Sequence, residues 1–213
     1  MNSSTKEAGC SSVRCELEAV IHPYLLLNHP FYRAWSEGSL PRQSLELYAR
    51  EYGAFVREIG AGWETLGDEE TAHEEEEHAE LWEQFAKALG TSVGPVVTKE
   101  VEQLLKTASE LFSSKEGALG ALYAFELQQP ETATSKLEGL RAFYQVPKEA
   151  ERYFEEHAKN HHEARKLEHA IAQLTESQQQ LVKAACARMA KALWDGLSGI
   201  HGEKCSLAQC AQH

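Results

Sequence analysis

The chain is organised around the stretch FEEHAKNHHEAR, residues 154–165, which holds three of the ten histidines. As part of one helix running from about residue 147 to 174, this stretch places His157 and His161 one turn apart on the same face. Phe154 and Leu167 share roughly that face, so we expect it to point inward. Two imidazoles on a buried face either bond to carbonyl or carboxylate oxygens or bind a divalent metal ion. This stretch leaves both alternatives open.

Apolar residues recur every three or four positions along most of the chain, which is typical of amphipathic helices. We find neither strand-like alternation nor internal repeats nor a nucleotide-binding loop. The sequence therefore predicts an all-α, single-domain bundle of about seven helices over residues 13–198. Residues 1–12 are predicted to be disordered, and residues 199–213 to form a flexible tail rich in Cys and His. The clearest periodic run is Leu45, Tyr48, Tyr52, Phe55, Ile59 and Trp63.

The charge balance bears on possible partners. With 33 acidic against 21 basic residues, the net charge is −12, which argues against nucleic acid or an anionic membrane as a partner. No apolar run reaches the length of a membrane span, and the first residues lack the apolar core of a signal peptide. We therefore expect a cytoplasmic protein.

A second candidate ligand group lies in the acidic stretch from residue 68 to 83. The apolar stripe of this predicted helix includes Trp82 and Phe85, and it continues backwards through His78. One turn earlier the same face holds Glu74 or Glu75. His78 and one of these two carboxylates are therefore expected to point into the core.

A third helix places a carboxylate in the middle of an apolar stripe. Glu126 lies between Leu122 and Pro130 on the face that is expected to be buried. A lone buried carboxylate is costly to ionise, so it needs a cation, a set of hydrogen-bond donors or a proton. Pro130 is expected to kink this helix one turn later.

Three helices thus each place residues of the metal-ligand type on an inward face. Carboxylates and imidazoles from several bundle helices are how dinuclear iron or manganese sites are built, with open positions left for dioxygen. The alternative is that the histidine of the acidic helix is solvated and the lone glutamate pairs with a lysine. The candidate metal ligands are Glu74 (or Glu75), His78, Glu126, His157, His161 and His162.

From about His22 to Ala170, the sequence resembles the haem-oxygenase-like family of dinuclear metal oxidases. Within this family it resembles the CADD-like members, which are related to the TenA and PqqC group. The resemblance implies a seven-helix haem-oxygenase fold that holds no haem. Its markers are HPFYRAWS (29–36), YAREY (48–52), HAELWEQF (78–85), ALYAFE (121–126) and YFEEH (153–157).

The resemblance also implies a cofactor of two transition-metal ions, either two irons or one iron and one manganese. His78, Glu126 and His157 match ligand positions of the family. Three other family ligand positions differ, because Thr71, His161 and Ala164 stand where the family has Glu, Asp and His. Glu74 or Glu75, with His161 and His162, would then have to complete the set. A rebuilt site, a one-metal site and a lost site all remain open.

The CADD-like members make p-aminobenzoate for folate biosynthesis, with their own tyrosine as the precursor and a lysine of the same chain as the amino donor. Tyr32 and Lys136 stand at the matching positions, so the resemblance implies that both are catalytic. It also implies dioxygen and an electron donor as reaction partners and, by analogy of fold, a homodimer. The plain alternatives are an aromatic core position for Tyr32 and a surface position for Lys136.

Three other functions are compatible with such a bundle. A thiaminase-II-like hydrolase needs a cysteine nucleophile, and the only internal cysteine, Cys186, is expected to be core. A non-catalytic bundle would bind a protein or a small ligand instead. A haem oxygenase needs one proximal histidine on the first helix, a role for which His22 and His29 are the candidates.

Overall fold

The computed structural model describes residues 12–202. Within that range every regular element is helical, which confirms the predicted all-α class. Short 3-10 turns occur at His22–Tyr24, Leu26–Asn28 and Lys148–Glu151. The predictions for residues 1–11 and 203–213 lie outside the described residues. The α-helices are α1 (Ser12–Ile21), α2 (Pro30–Ser36), α3 (Arg42–Val56), α4 (Ile59–Leu66), α5 (Glu69–Ala88), α6 (Lys99–Leu111), α7 (Lys115–Glu126), α8 (Gln129–Phe143), α9 (Arg152–His157), α10 (His162–Ala172) and α11 (Glu176–His201).

Three of the long predicted helices are interrupted, so the structure has more α-helices than the seven that the sequence predicts. The breaks separate α3 from α4, α7 from α8, and α9 from α10. When each interrupted pair is counted as one helix, and the short α2 is set aside, the described residues form seven helices. Near the predicted kink at Pro130 the helix stops altogether, and Pro130 lies at the start of α8, where its missing N–H costs nothing.

The prediction of one continuous helix through residues 157–161 is wrong. Helix α9 ends at His157, and His161 has non-helical backbone angles of φ −121° and ψ 5°. The Asn160 side chain explains the break, since its Oδ1 accepts from the N–H of His162 at 3.2 Å. Its Nδ2 donates to Glu163 at 2.6 Å. Asparagine side chains that bond locally in this way compete with the helical ladder.

Helix α11 is the central support of the bundle and packs mainly on α7 and α6. It begins with a capping box formed by Thr175 and Gln178, and it ends at Gly202, whose φ of 74° suits a glycine C-cap. It therefore extends to His201, three residues beyond the predicted end of the domain at residue 198. Helix α7, held beneath it, is buried from Gly117 to Glu126.

None of the helices within residues 12–202 is both long and apolar enough to cross a lipid bilayer. The longest, α11, has polar or charged residues along much of one side. This agrees with the absence of a long apolar run in the sequence.

We predict that Gly120→Ala destabilises the protein. A Cβ at Gly120 would overlap the backbone carbonyl oxygen of Val182 on α11, and neither helix can yield without separating. Overpacking of this kind typically costs about 1–3 kcal/mol. Urea unfolding of the variant should therefore show a lower midpoint at an unchanged slope.

The matched control is Gly196→Ala, which is also helical and buried. Its Cβ would meet only the side chain of Leu104, at 3.2 Å, and that side chain can move. Alanine favours the helix by about 1 kcal/mol over glycine, so we expect little net change. Equal losses in both variants would contradict the assigned backbone contact.

Candidate metal centre

Helix α5 carries the first two residues of the centre. Its first turn is capped by Asp68, whose side chain accepts from the N–H of Thr71. Glu75 is only 2% exposed, and its Oε1 lies 3.2 Å from Nδ1 of His78. Glu74 is only half-buried. Of the two carboxylates that the sequence left open, Glu75 is the one that the structure brings into the core.

Glu126 and His157 both carry buried polar atoms that lack a hydrogen-bond partner in the described part of the chain. Within the described residues, both carboxylate oxygens of Glu126 and Nε2 of His157 have no hydrogen-bond partner. Nδ1 of His157 lies 2.9 Å from the carbonyl oxygen of Tyr153. Nδ1 must therefore carry the proton, which leaves the Nε2 lone pair available. A backbone carbonyl that fixes the tautomer in this way is usual for metal-binding histidines.

Glu163, on α10, is a further member of the centre that sequence reasoning missed. It is 2% exposed, and its carboxylate lies within 4.8 Å of ligand atoms of Glu75 and Glu126. The sequence does contain a signal for this residue. An asparagine followed three residues later by a glutamate, as in Asn160 and Glu163, is typical of the start of a helix. A new helix there would have brought Glu163 onto the inward face.

The centre consists of two groups that share one residue. The ligand atoms of Glu75, His78 and His157 lie within 4.8 Å of one another, and so do those of Glu75, Glu126 and Glu163. Glu75 belongs to both groups. This is the arrangement expected when a carboxylate bridges two metal ions.

The electrostatics of the centre call for a cation. Burial, with the charges of Glu163 and Glu75, raises the pKa of Glu126 well above its usual value. Burial and the charge of Glu75 raise the pKa of Glu163 as well. Burial lowers the pKa of His157 to about 3, so its imidazole is neutral. Buried carboxylates are normally paired or bound to metal. Three carboxylates and two imidazoles without a thiolate fit iron or manganese.

The remaining predicted ligands lie away from the buried centre. His161 is exposed and lines a groove of about 360 Å³ beside Pro130 and Ala158. His162 is exposed too, and it lies with Glu74 near the outer side of Glu163. The expected alignment of His157 and His161 on one face fails because of the break at Asn160.

A second buried site surrounds Tyr32 and Lys136. Lys136 is 3% exposed, so the alternative of a surface lysine is wrong. Its Nζ lies 5.2 Å from the ring centroid of Tyr32 and donates to the Tyr48 hydroxyl at 3.3 Å. The hydroxyls of Tyr32 and Tyr48 are 3.0 Å apart. Burial lowers the pKa of Lys136 to about 7 and raises that of Tyr32.

Two aromatic rings connect this site with the metal centre. Tyr153 stacks on His157, with ring centroids 4.1 Å apart. Trp82 lies 4.7 Å from Tyr153 and 5.3 Å from Tyr48, again between centroids. A continuous series of ring contacts therefore leads from His157 to Tyr48, whose hydroxyl touches that of Tyr32.

In two of the alternative functions, a candidate residue is unsuited to its role. Burial raises the pKa of the Cys186 thiol to about 12, so it is protonated at neutral pH and a poor nucleophile. Both ring nitrogens of His29 are engaged, Nδ1 by the N–H of Phe31 at 3.0 Å and Nε2 by Ser198 at 2.9 Å. His29 is a helix cap and is not free to bind haem.

Comparison with known proteins establishes the family. The profile of the haem-oxygenase-like family described as iron-containing redox enzymes matches residues 60–195. The chain belongs to this family. It is 31% identical to a 4-aminobenzoate synthase of Nitrosomonas europaea, over 92% of this chain and 94% of the relative. A 4-aminobenzoate synthase of Chlamydia pneumoniae is 30% identical, over 66% of this chain and 72% of the relative.

Solved structures show the same haem-oxygenase-like fold. A TenA homologue from Pseudomonas syringae superposes with a TM-score of 0.73 at 16% identity, over 89% of this chain and 92% of that one. A CADD-like protein of unknown function from Nostoc punctiforme gives a TM-score of 0.58 at 17% identity, over 88% and 95%. Membership of this family identifies the chain as an oxidoreductase of the iron-containing group, rather than a non-catalytic bundle.

We predict that Glu126→Gln changes stability in opposite directions with and without metal. Without metal, the amide removes a buried carboxylate that faces Glu75 and Glu163, so the variant should be more stable by about 1–3 kcal/mol. Such a gain raises the melting temperature by about 2–4 °C per kcal/mol. With Fe²⁺ or Mn²⁺ added, the variant should gain less stability than the wild type because it binds metal more weakly.

The control is Glu51→Gln. Glu51 is also fully buried, but its carboxylate accepts from the backbone N–H of Thr98 and from Arg50. Its replacement should lower stability whether or not metal is present. Melting curves with a chelator and with metal test both variants. A less stable Glu126→Gln protein in chelator would contradict the buried-charge explanation.

Proposed function

We propose that the chain is a dioxygen-dependent dinuclear metal oxidase that makes p-aminobenzoate from its own Tyr32, with Lys136 as the amino donor. One observation carries the proposal: a buried amine lies against a buried phenol ring, and ring contacts join both to a carboxylate-rich centre. The names of the relatives, 4-aminobenzoate synthases, agree with this activity. Dioxygen and an external electron donor are the required co-reactants.

Five residues would hold the two metal ions, which we propose to be two irons or one iron and one manganese. Glu75 would bridge the ions, because it belongs to both ligand groups. Three carboxylates offset most of the charge of two divalent cations, so the loaded centre is close to neutral. When bound, the ions supply the capacity to activate dioxygen. The five residues are Glu75, His78, Glu126, His157 and Glu163.

Tyr32 has the carbon skeleton that the product needs. Its ring is para-substituted, and its Cβ would become the carboxyl carbon after the bond to Cα breaks. Burial raises the pKa of Tyr32 and keeps the phenol protonated. Tyr48 lies between the phenol and Lys136, at 3.0 Å and 3.3 Å. A neutral Lys136 can therefore accept the phenol proton through Tyr48 when an electron leaves the ring, and the amine must release that proton before it acts as a nucleophile.

Lys136 is prepared as a nitrogen nucleophile: its Nζ would form a bond to Cζ of Tyr32, and the phenol oxygen would leave as water. The Cε–Nζ bond of the lysine would then break oxidatively, with dioxygen as the oxidant. With a pKa of about 7, roughly half of its amines are neutral at neutral pH. An ordinary lysine with a pKa of about 10.4 has fewer than about one neutral amine in a thousand at that pH. The surrounding rings of Tyr32, Tyr48 and Phe154 also exclude water, which would otherwise compete with the amine.

The aromatic series provides a route for the electron that Tyr32 must lose. Tyr153 and Trp82 fill the space between His157 and Tyr48, and their contacts are all below 6 Å between centroids. The indole N–H of Trp82 donates to the carbonyl oxygen of Ala49 at 2.8 Å, which fixes the ring in this position.

A homodimer remains a proposal by analogy of fold.

We predict that Tyr32→Phe abolishes p-aminobenzoate formation, because the phenol is both the precursor and the group to be oxidised. Protein carrying ring-labelled tyrosine should release labelled product even when unlabelled free tyrosine is added. Mass spectrometry of the peptide around residue 32 should show loss of the side chain in the wild type only.

The control is Tyr24→Phe, a half-buried tyrosine that contacts Trp194 outside this site. It should retain full product formation. Undiminished product from Tyr32→Phe, or product label that follows free tyrosine, would disprove self-sacrifice.

We predict that Lys136 makes the protein more stable as the pH rises above about 7. The folded-state pKa is about 7 and the ordinary value is 10.5, so in this range the unfolded chain binds a proton that the folded chain does not. The free energy of unfolding should therefore increase between about pH 7 and pH 9. Lys136→Met should remove much of this increase.

Urea unfolding at several pH values provides the measurement. Lys106→Met, at an exposed position on α6, is the control and should keep the wild-type pH dependence. If Lys136→Met keeps it as well, the amine is charged in the folded protein and cannot act as proposed.

A further inference from the structure

We propose that Glu74, His162 and Glu163 form an outer metal-binding position, which takes up a divalent transition-metal ion from solvent and passes it to the buried centre. The inference rests on the dinuclear centre proposed above. It gives a role to Glu74 and His162, which the sequence suggested as ligands but the structure leaves outside that centre.

The three residues have the geometry and the chemistry of a binding position. Their ligand atoms all lie within 4.8 Å of one another. One imidazole nitrogen and two carboxylates suit Fe²⁺ and Mn²⁺. Exposure decreases inward, since His162 is exposed, Glu74 is half-buried and Glu163 is buried. The group therefore leads from solvent towards the core.

Glu163 connects the outer position with the buried centre. Its carboxylate belongs to the outer group and also to the group formed with Glu75 and Glu126. An ion held by Glu163 can move inward while it keeps this ligand. The next ligand along the path is available, because both oxygens of Glu126 lack a hydrogen-bond partner among the described residues.

The surrounding charges favour a cation at this position. Within residues 12–202, neither Glu74 nor Glu163 forms an ion pair with lysine or arginine. Lys166, one turn after His162, donates instead to Thr71 at 2.6 Å and to Asp68 at 3.1 Å. Residues 68–83 carry nine carboxylates and no lysine or arginine, which raises the local concentration of cations.

Asn160 orients the outer ligands. Its amide donates to Oε1 of Glu163 at 2.6 Å and accepts from the backbone N–H of His162 at 3.2 Å. The break between α9 and α10 thus does more than end a helix, because it places His162 and Glu163 at the mouth of the centre. Asn160 acts as a positioning residue for both.

The test is the rate of Mn²⁺ uptake by the full-length metal-free protein, followed by the loss of the EPR signal of free Mn²⁺. The variant carries Glu74→Gln and His162→Gln together. We expect uptake to slow by about tenfold or more, which is within the range of electrostatic and local-concentration effects on association. The number of ions bound at equilibrium should stay at the wild-type value.

Two controls separate this position from general surface charge. Glu77→Gln removes a carboxylate from an exposed position of the same acidic helix, and His161→Gln removes the neighbouring exposed imidazole. Both should load at nearly the wild-type rate. Asn160→Ala should load slowly, because it loosens Glu163 and His162.

Each outcome decides the inference. Unchanged uptake in the double variant overturns it, and so does equal slowing in Glu77→Gln. A double variant that loses bound ions at equilibrium also overturns it, because Glu74 and His162 would then be permanent ligands. Failure of the wild type to bind about two ions would instead overturn the dinuclear centre, and the two failures are therefore distinguishable.

Discussion

The constraint on which the structure depends is the meeting of three carboxylates away from water. Glu75, Glu126 and Glu163 come from helices α5, α7 and α10, and each is about 2% exposed. Burying an unpaired charge costs a large amount of folding free energy. The bundle maintains this arrangement because α7 packs closely against α11. A cation bound at the proposed centre would offset the repulsion between these carboxylates.

The break between α9 and α10 makes this meeting possible. On an unbroken helix Glu163 would lie about 240° around the axis from His157, and the two could not face the same centre. The Asn160 side chain bonds to residues on the far side of the break and replaces part of the helical ladder. A single polar side chain thus redirects one helix so that His157 and Glu163 both point inward.

The site around Tyr32 has the opposite character. It is lined by aromatic rings, and the contacts of Lys136 within the described residues are with tyrosine and phenylalanine side chains. The low pKa of Lys136 follows from its burial alone. The protein therefore keeps an acidic centre and an amine site apart, and Tyr153 and Trp82 fill the space between them. If the amine lay among the carboxylates it would be charged, and it could not act as a nucleophile.

Periodicity in the sequence was sufficient to predict an all-α bundle and the inward faces of His78, Glu126 and His157, because a 3.6-residue repeat states which side of a helix is apolar. Tyr32 and Lys136 were found only through family resemblance, since neither breaks a pattern. The tertiary structure selected Glu75 over Glu74 as the buried carboxylate. It also placed Lys136 in the core and added Glu163 to the centre. Adjacent helix positions differ by only about 100°, so packing against neighbouring helices selects the buried one. Helix breaks depend on side-chain bonds to the backbone, which periodicity does not register.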